Sequence, residues 1–169
     1  MKRASANRSG AVSGLAGFGW QGFNNAALYC AKNDINFAEA LEWADKSIAL
    51  NETYANLTTK ALLLEKTGKK DEAEALRERS LKIATEADMN QLGYTYLAAG
   101  KTAQAIEVFE KNVKAHPGSW NAYDSLAEAR EKGGDTKGAI AGYEKALSIV
   151  RDDANRKRIT DTIAKLKAR

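Results

Sequence analysis

The chain has 169 residues, enough for one domain or one short repeat array that buries a core without covalent cross-links. Its single cysteine, Cys30, and single histidine, His116, exclude an intramolecular disulfide and a Cys/His metal cluster. The formal net charge of +4 comes from the ends, because residues 1–20 contribute +3, residues 151–169 contribute +4, and residues 21–150 contribute −3. We therefore expect no specific nucleic-acid partner, which would need Lys and Arg on one binding face.

Residues 1–19 begin with basic side chains and continue into a short, glycine-interrupted apolar stretch. This stretch lacks the leucine-rich centre and the cleavage site of a signal peptide, so we interpret residues 1–19 as a flexible lead-in. No segment has the roughly 18 continuous apolar residues of a membrane span. Together with the single cysteine, this favours a cytoplasmic location, or a periplasmic one for a fragment of a larger exported protein.

From residue 20 onward the sequence repeats itself. Four segments share an alanine pattern that places Ala40, Ala73, Ala105 and Ala139 at successive separations of 33, 32 and 34 residues. A period of this length is typical of helical repeat arrays. We expect four repeats, at about residues 20–53, 54–85, 86–119 and 120–151.

Each repeat has the pattern of two helices. In the third, apolar residues at helical spacing precede "AAGKT", where Gly100 ends one helix, and a second run from Ala105 to Val113 ends before Pro117. Gly68 and Gly134 hold the position of Gly100 in the second and fourth repeats, where a turn with positive φ suits glycine.

Small residues recur where antiparallel helices must approach to about 8–10 Å. They lie on the first helices at Ala27, Ala61, Gly93 and Ala127, and on the second helices at the four alanines that define the period. After Val150, residues 152–169 offer Asp152 or Asp153 as an N-cap, and an apolar stripe of Ile159, Ile163 and Leu166 with a basic opposite face. This pattern predicts a helix that covers the end of the array.

The pattern resembles the tetratricopeptide repeat family. The third repeat carries its signature residues Leu92, Gly93, Tyr96, Gly100, Ala105, Phe109 and Pro117, and the fourth matches with Leu126, Ala127, Gly134, Ala139, Tyr143 and Ala146. The second is looser, with Arg77 at a usual aromatic, and the first departs most, with "NDIN" at the turn. The resemblance implies an all-α, right-handed α-solenoid of four helix-turn-helix repeats plus a C-terminal capping helix. A more distant resemblance is to the tails of larger bacterial proteins, which would make residues 1–19 a remnant linker.

In this family the first helices line a concave groove that binds a peptide. The family's groove positions correspond here to Asn24, Leu28, Thr58, Leu62, Glu65, Asn90, Tyr94, Leu97, Asn121, Asp124, Glu128 and Glu131. These grade from apolar to acidic, which disfavours a clamp for acidic tails and favours a partner with apolar and basic residues. Alternatively, the acids form a solvated face, with Lys132 four residues after Glu128 as compensation.

The residues offer no catalytic constellation, because His116 has no nucleophile in a recognisable pattern and Cys30 is expected to be a small buried hydrophobe. We therefore expect no enzymatic activity and no cofactor. The sequence predicts a protein-protein interaction module that binds a peptide or partner segment, as a monomer or homodimer. The alternative is a structural solenoid that self-associates through its ends, where "GLAGFGW" is apolar and the first repeat has no obvious cap.

Overall fold

A computed structural model describes residues 19–168, so residues 1–18 of the lead-in predicted at residues 1–19 lie outside this range. Within the described residues the protein is all-α, with nine helices and no strand. The helices are α1 (Trp20–Asn33), α2 (Phe37–Leu50), α3 (Tyr54–Lys66), α4 (Lys70–Ile83), α5 (Glu86–Ala98), α6 (Thr102–Ala115), α7 (Trp120–Lys132), α8 (Thr136–Ile149) and α9 (Asp153–Lys167). The predicted all-α class and the number of helix pairs are confirmed.

The helices form two compact units, which divide between Ala84 and Thr85. Unit 1 contains the pairs α1–α2 and α3–α4, and α3 also packs against α1 and α2. Unit 2 contains the pairs α5–α6 and α7–α8, and α9 packs against α8. Each unit therefore has two first helices, α1 and α3 in unit 1 and α5 and α7 in unit 2.

The turns inside the pairs follow the predicted glycine positions. Gly68, Gly100 and Gly134 adopt φ of 84°, 72° and 85°, a region that L side chains rarely enter. The first repeat has no glycine here, and Asp34 and Asn36 take φ of 55° and 50° instead. Asp and Asn tolerate this conformation better than most residues, so the departing sequence still forms the turn between α1 and α2.

Small residues lie at the helix contacts where the repeat pattern predicted them. The four period-defining alanines on the second helices are each fully buried, and Ala27, Ala61 and Ala127 are at most 1% exposed on the first helices. The contact at Gly93 is closer still, because a Cβ atom added there would lie 2.4 Å from two atoms of the Phe109 ring. The close approach of α5 and α6 therefore depends on the missing side chain.

The last helix covers the apolar side of the fourth repeat. Its N-cap is Asp152, whose side chain accepts a hydrogen bond from the Asn155 amide. The predicted apolar stripe of Ile159, Ile163 and Leu166 is buried in one cluster with Tyr143 and Val150. The helix α9 therefore packs on the apolar residues of the fourth repeat, as the sequence pattern predicted. None of the helices in residues 19–168 is both long and apolar enough to cross a membrane.

Candidate functional site

The twelve predicted groove residues fall on first helices of both units. Unit 1 carries Asn24, Leu28, Thr58, Leu62 and Glu65 on α1 and α3, and unit 2 carries Asn90, Tyr94, Leu97, Asn121, Asp124, Glu128 and Glu131 on α5 and α7. Each unit thus presents its own set. The two sets differ in what their side chains contact.

In unit 1 most of the predicted side chains are engaged within the fold. Leu62 packs partly buried against the core formed by α1, α2 and α3, and the Thr58 hydroxyl donates to carbonyls of its own helix. Asn24 is 6% exposed, and Leu28 is half-buried. Glu65 is exposed but forms an ion pair with Arg77, the residue that replaces the usual aromatic of the second repeat. Among these positions of unit 1, Asn24 Oδ1 is buried without a hydrogen-bond partner.

Unit 2 has an open pocket of about 720 Å³ on the face of α5 and α7. Three predicted groove residues, Asn90, Tyr94 and Asn121, contribute to its wall. The remaining lining residues are Glu86, Ala87, Gln91, Thr95 and Ala98. The lining combines three side-chain amides, two hydroxyl groups, two alanines and one carboxylate, so it presents both donors and acceptors beside small apolar surfaces.

Hydrogen bonds join the first helices of the third and fourth repeats directly. The Ser125 hydroxyl donates to Asn90 Oδ1 at 2.7 Å, and the Tyr94 hydroxyl donates to Glu128 Oε2 at 2.8 Å. The two pairs are separated by 35 and 34 residues, which is one repeat. Equivalent positions of successive repeats therefore meet on this face, and their polar groups are already ordered.

Tyr94 is the aromatic residue of the pocket lining. Its ring meets the buried ring of Phe109 edge-on, with centroids 5.4 Å apart and an interplanar angle of 71°. Burial, with the nearby Glu128 carboxylate, raises the pKa of Tyr94 to about 12 even though Ser125 opposes the shift. Tyr94 is therefore a neutral hydroxyl with a fixed ring at physiological pH.

The predicted acids on α7 are largely paired. Glu128 binds Lys132 at 2.9 Å, so the compensation expected from the sequence is present. Burial alone would raise the pKa of Glu128, but the bonds from Lys132 and Tyr94 outweigh it and the pKa is lowered. Asp124 accepts from Arg158 of α9 at 2.8 Å, yet burial keeps its pKa raised. These carboxylates are thus part of a charge network and not a row of isolated negative charges.

The last two predicted positions on this face are partly covered. Leu97 packs against the apolar cluster around Ala105 and Phe109, and Glu131 accepts a hydrogen bond of 3.4 Å from the Tyr143 hydroxyl. Both are half-buried. Both residues lie on α5 and α7, but neither of them lines the pocket.

The sequence interpretation missed several residues of this face. Gln91 and Thr95 line the pocket, but they fall between the family's groove positions and gave no signal of their own. Arg158 was assigned only to a capping helix, although it follows Asp124 by 34 residues. That separation equals one period, so α9 holds the position of a first helix, and the repeat spacing could have identified the pair.

Comparisons with known proteins agree with this architecture. Two family models described as tetratricopeptide repeat match residues 91–119 and 122–157. An uncharacterized protein, ycf37 of Pyropia yezoensis, is 33% identical over 78 residues, which are 46% of this chain and 44% of that relative. The match thus spans less than half the length of the curated relative.

Solved structures of MamA share the fold. MamA AMB-1 is 21% identical and aligns over 89% of this chain and 83% of its own, with a TM-score of 0.50. A MamA mutant is 22% identical over 87% and 80% of the two chains, also with a TM-score of 0.50. At this identity the likeness concerns the fold alone. The two family models, and not this likeness, identify residues 91–119 and 122–157 as tetratricopeptide repeats, the family that the sequence pattern resembles.

Proposed function

We propose that the protein is a non-catalytic interaction module that binds a peptide or partner segment on the α5–α7 face of unit 2. Tetratricopeptide repeats and this helical fold support a role in protein–protein interaction or scaffolding, because stacked repeats present extended binding surfaces. The observation that carries the proposal is the open pocket of about 720 Å³ at three predicted groove residues. Its size is within the range of ligand sites in proteins.

The lining favours an extended peptide with apolar and basic side chains. The Gln91 amide can both donate to and accept from a peptide backbone. Asn90 and Asn121 keep part of this capacity, because Asn90 Oδ1 already accepts from Ser125 and Asn121 Nδ2 donates to Glu86 at 3.4 Å. Tyr94 and the two alanines supply apolar surface, and Glu86 is the carboxylate of the lining. Burial of a Leu-sized side chain contributes about 1.5–3 kcal/mol, whereas an exposed ion pair contributes about 0.2–1 kcal/mol. Apolar contacts should therefore set the affinity, and charge should set the orientation and the association rate.

A peptide-library screen with a matched pair of variants tests the proposal. Gln91→Trp fills the pocket from an exposed position on α5, and Gln104→Trp places the same side chain at an exposed position on α6 of the same repeat. We expect wild type and Gln104→Trp to enrich the same apolar-basic peptides, and Gln91→Trp to lose them. Enrichment of acidic peptides, or equal binding to all three proteins, would place the ligand site elsewhere.

A second candidate function is self-association as a scaffold. Four large apolar side chains of unit 1 are exposed, namely Tyr29 at 62% on α1, Ile35 at 41% in the turn after α1, Leu50 at 59% and Ile83 at 42%. Large apolar groups that face solvent favour contact with another surface. The mass of the protein in solution should then rise with concentration in wild type and not in Tyr29→Ser. A constant mass would leave the binding module as the better account.

A further inference from the structure

The side chain of Arg158 reaches from α9 to a buried carboxylate on α7. Arg158 Nη2 donates to Asp124 Oδ2 at 2.8 Å, and its Nε donates to Asn155 at 3.4 Å. Asp124 lies one helical turn after Asn121, which lines the pocket, and beside Ser125, which binds Asn90. The ion pair is therefore adjacent to the candidate site.

The pair leaves the carboxylate incompletely satisfied. Taken as a whole residue, Asp124 is 8% exposed, and its Oδ1 is buried without a hydrogen-bond partner. Arginine commonly holds a carboxylate through two parallel hydrogen bonds, but one nitrogen makes this contact. A buried carboxylate oxygen without a donor is unfavourable. Asp124 therefore has the capacity for a further or better-placed cationic donor.

Arg158 is the exposed member of the pair. Its side chain is 47% exposed, against 12% for Asp124. The backbone of α9 is held separately by Ile159, Ile163 and Leu166, which are buried in the apolar cluster of unit 2. The guanidinium can consequently rotate into solvent while α9 stays in place, because the apolar contacts of α9 do not depend on it.

We propose that Asp124 is a cation subsite of the α5–α7 face and that Arg158 occupies it in cis, so that a basic side chain of the partner binds there only by displacing Arg158. This inference rests on the proposed function for its biological meaning. Arg158 then acts as a specificity determinant, since a partner must offer a cation that satisfies Asp124 better than the single contact does. Neutral and acidic partners gain nothing from the exchange.

Methylguanidinium tests the subsite without any knowledge of the partner. We would titrate it into full-length Arg158→Ala and follow the backbone amide signals of residues 121–128. We expect saturable binding to Arg158→Ala, about tenfold weaker binding to wild type because a charge-assisted hydrogen bond must be displaced, and none to Arg158→Ala/Asp124→Asn. Arg151→Ala, which removes the same charge from an exposed position outside the pair, should behave like wild type. No saturable change in Arg158→Ala, or the same change in the double variant, would overturn the inference.

A peptide experiment separates this inference from the proposed function. The probe is a capped peptide that alternates Leu and Arg, with a Leu/Glu peptide as control, and Arg158→Gln serves as a second variant that keeps most of the side-chain stem. We expect the Leu/Arg peptide to bind both Arg158 variants about tenfold more tightly than wild type. Equal affinity for all three would overturn the competition by Arg158. Failure of every protein to bind would contradict the proposed function, while the methylguanidinium titration still decides the subsite.

Discussion

Replacing Gly93 with Ala should destabilise unit 2, because the added methyl group has no space. Its Cβ would lie 2.4 Å from Phe109 Cε1 and Cζ and 2.8 Å from Cε2, well inside van der Waals contact. Phe109 is fully buried and rests edge-on against Tyr94, so its ring cannot move away freely. Overpacking of this kind costs about 1–3 kcal/mol, and the better helix propensity of Ala returns about 0.5–1 kcal/mol. We expect a net loss of about 1–2 kcal/mol in the free energy of unfolding.

Urea denaturation followed by circular dichroism measures this loss, and the chain supplies its own control. Gly118 lies between α6 and α7, and a Cβ there would meet no atom within 4 Å. Gly118→Ala should therefore change the midpoint little, as for most unconstrained surface positions. Phe109→Leu combined with Gly93→Ala should cost less than the sum of the two single changes, because the smaller side chain relieves the contact. A Gly93→Ala midpoint equal to or above that of wild type would refute the packing argument.

Three further changes test the turns, the polar network and the last helix. Gly134→Ala should lower the free energy of unfolding by about 1–2 kcal/mol, because φ at this turn is 85°, and equal urea midpoints would contradict this. The pKa of Tyr94 is raised to about 12, so the folded state keeps a proton that the unfolded chain loses near pH 10. The free energy of unfolding should therefore fall between about pH 10 and 12 in wild type, and should fall less in Tyr94→Phe. Parallel pH profiles of the two proteins would exclude this cause. Truncation after Val150 exposes the apolar cluster around Tyr143 and should lower both the unfolding midpoint and the solubility. A truncated chain as stable as wild type would show that α9 does not contribute to stability.

The fold could be predicted because its determinants are local and periodic. Ala105 and Ala139 lie at helix contacts that only a small side chain permits. Gly100 has a backbone conformation that other residues avoid. Each of these signals depends on one residue and its position in the repeat. The first repeat shows the limit, since its Asp34 and Asn36 perform the turn with residues that the pattern did not mark.

The chemistry of the site was less predictable, because it depends on which side chains meet. Helical spacing placed Asp124 and Glu128 on one face, but their charge state depends on Arg158 and Lys132, whose rotamers the sequence does not specify. The predicted preference for basic partners assumed available acids. Under the proposed competition, that preference would depend instead on the cost of displacing Arg158 from Asp124, a cost that tertiary contacts set.

The most direct test of the binding face is a map of where a peptide binds. Backbone amide chemical shifts of the full chain would be followed during titration with the capped Leu/Arg peptide. We expect the largest changes on α5 and α7, within Glu86–Ala98 and Trp120–Lys132, and we expect them to disappear in Gln91→Trp but to persist in Gln104→Trp. Changes confined to α6 and α8, or unaffected by Gln91→Trp, would contradict the assignment of this face as the binding site.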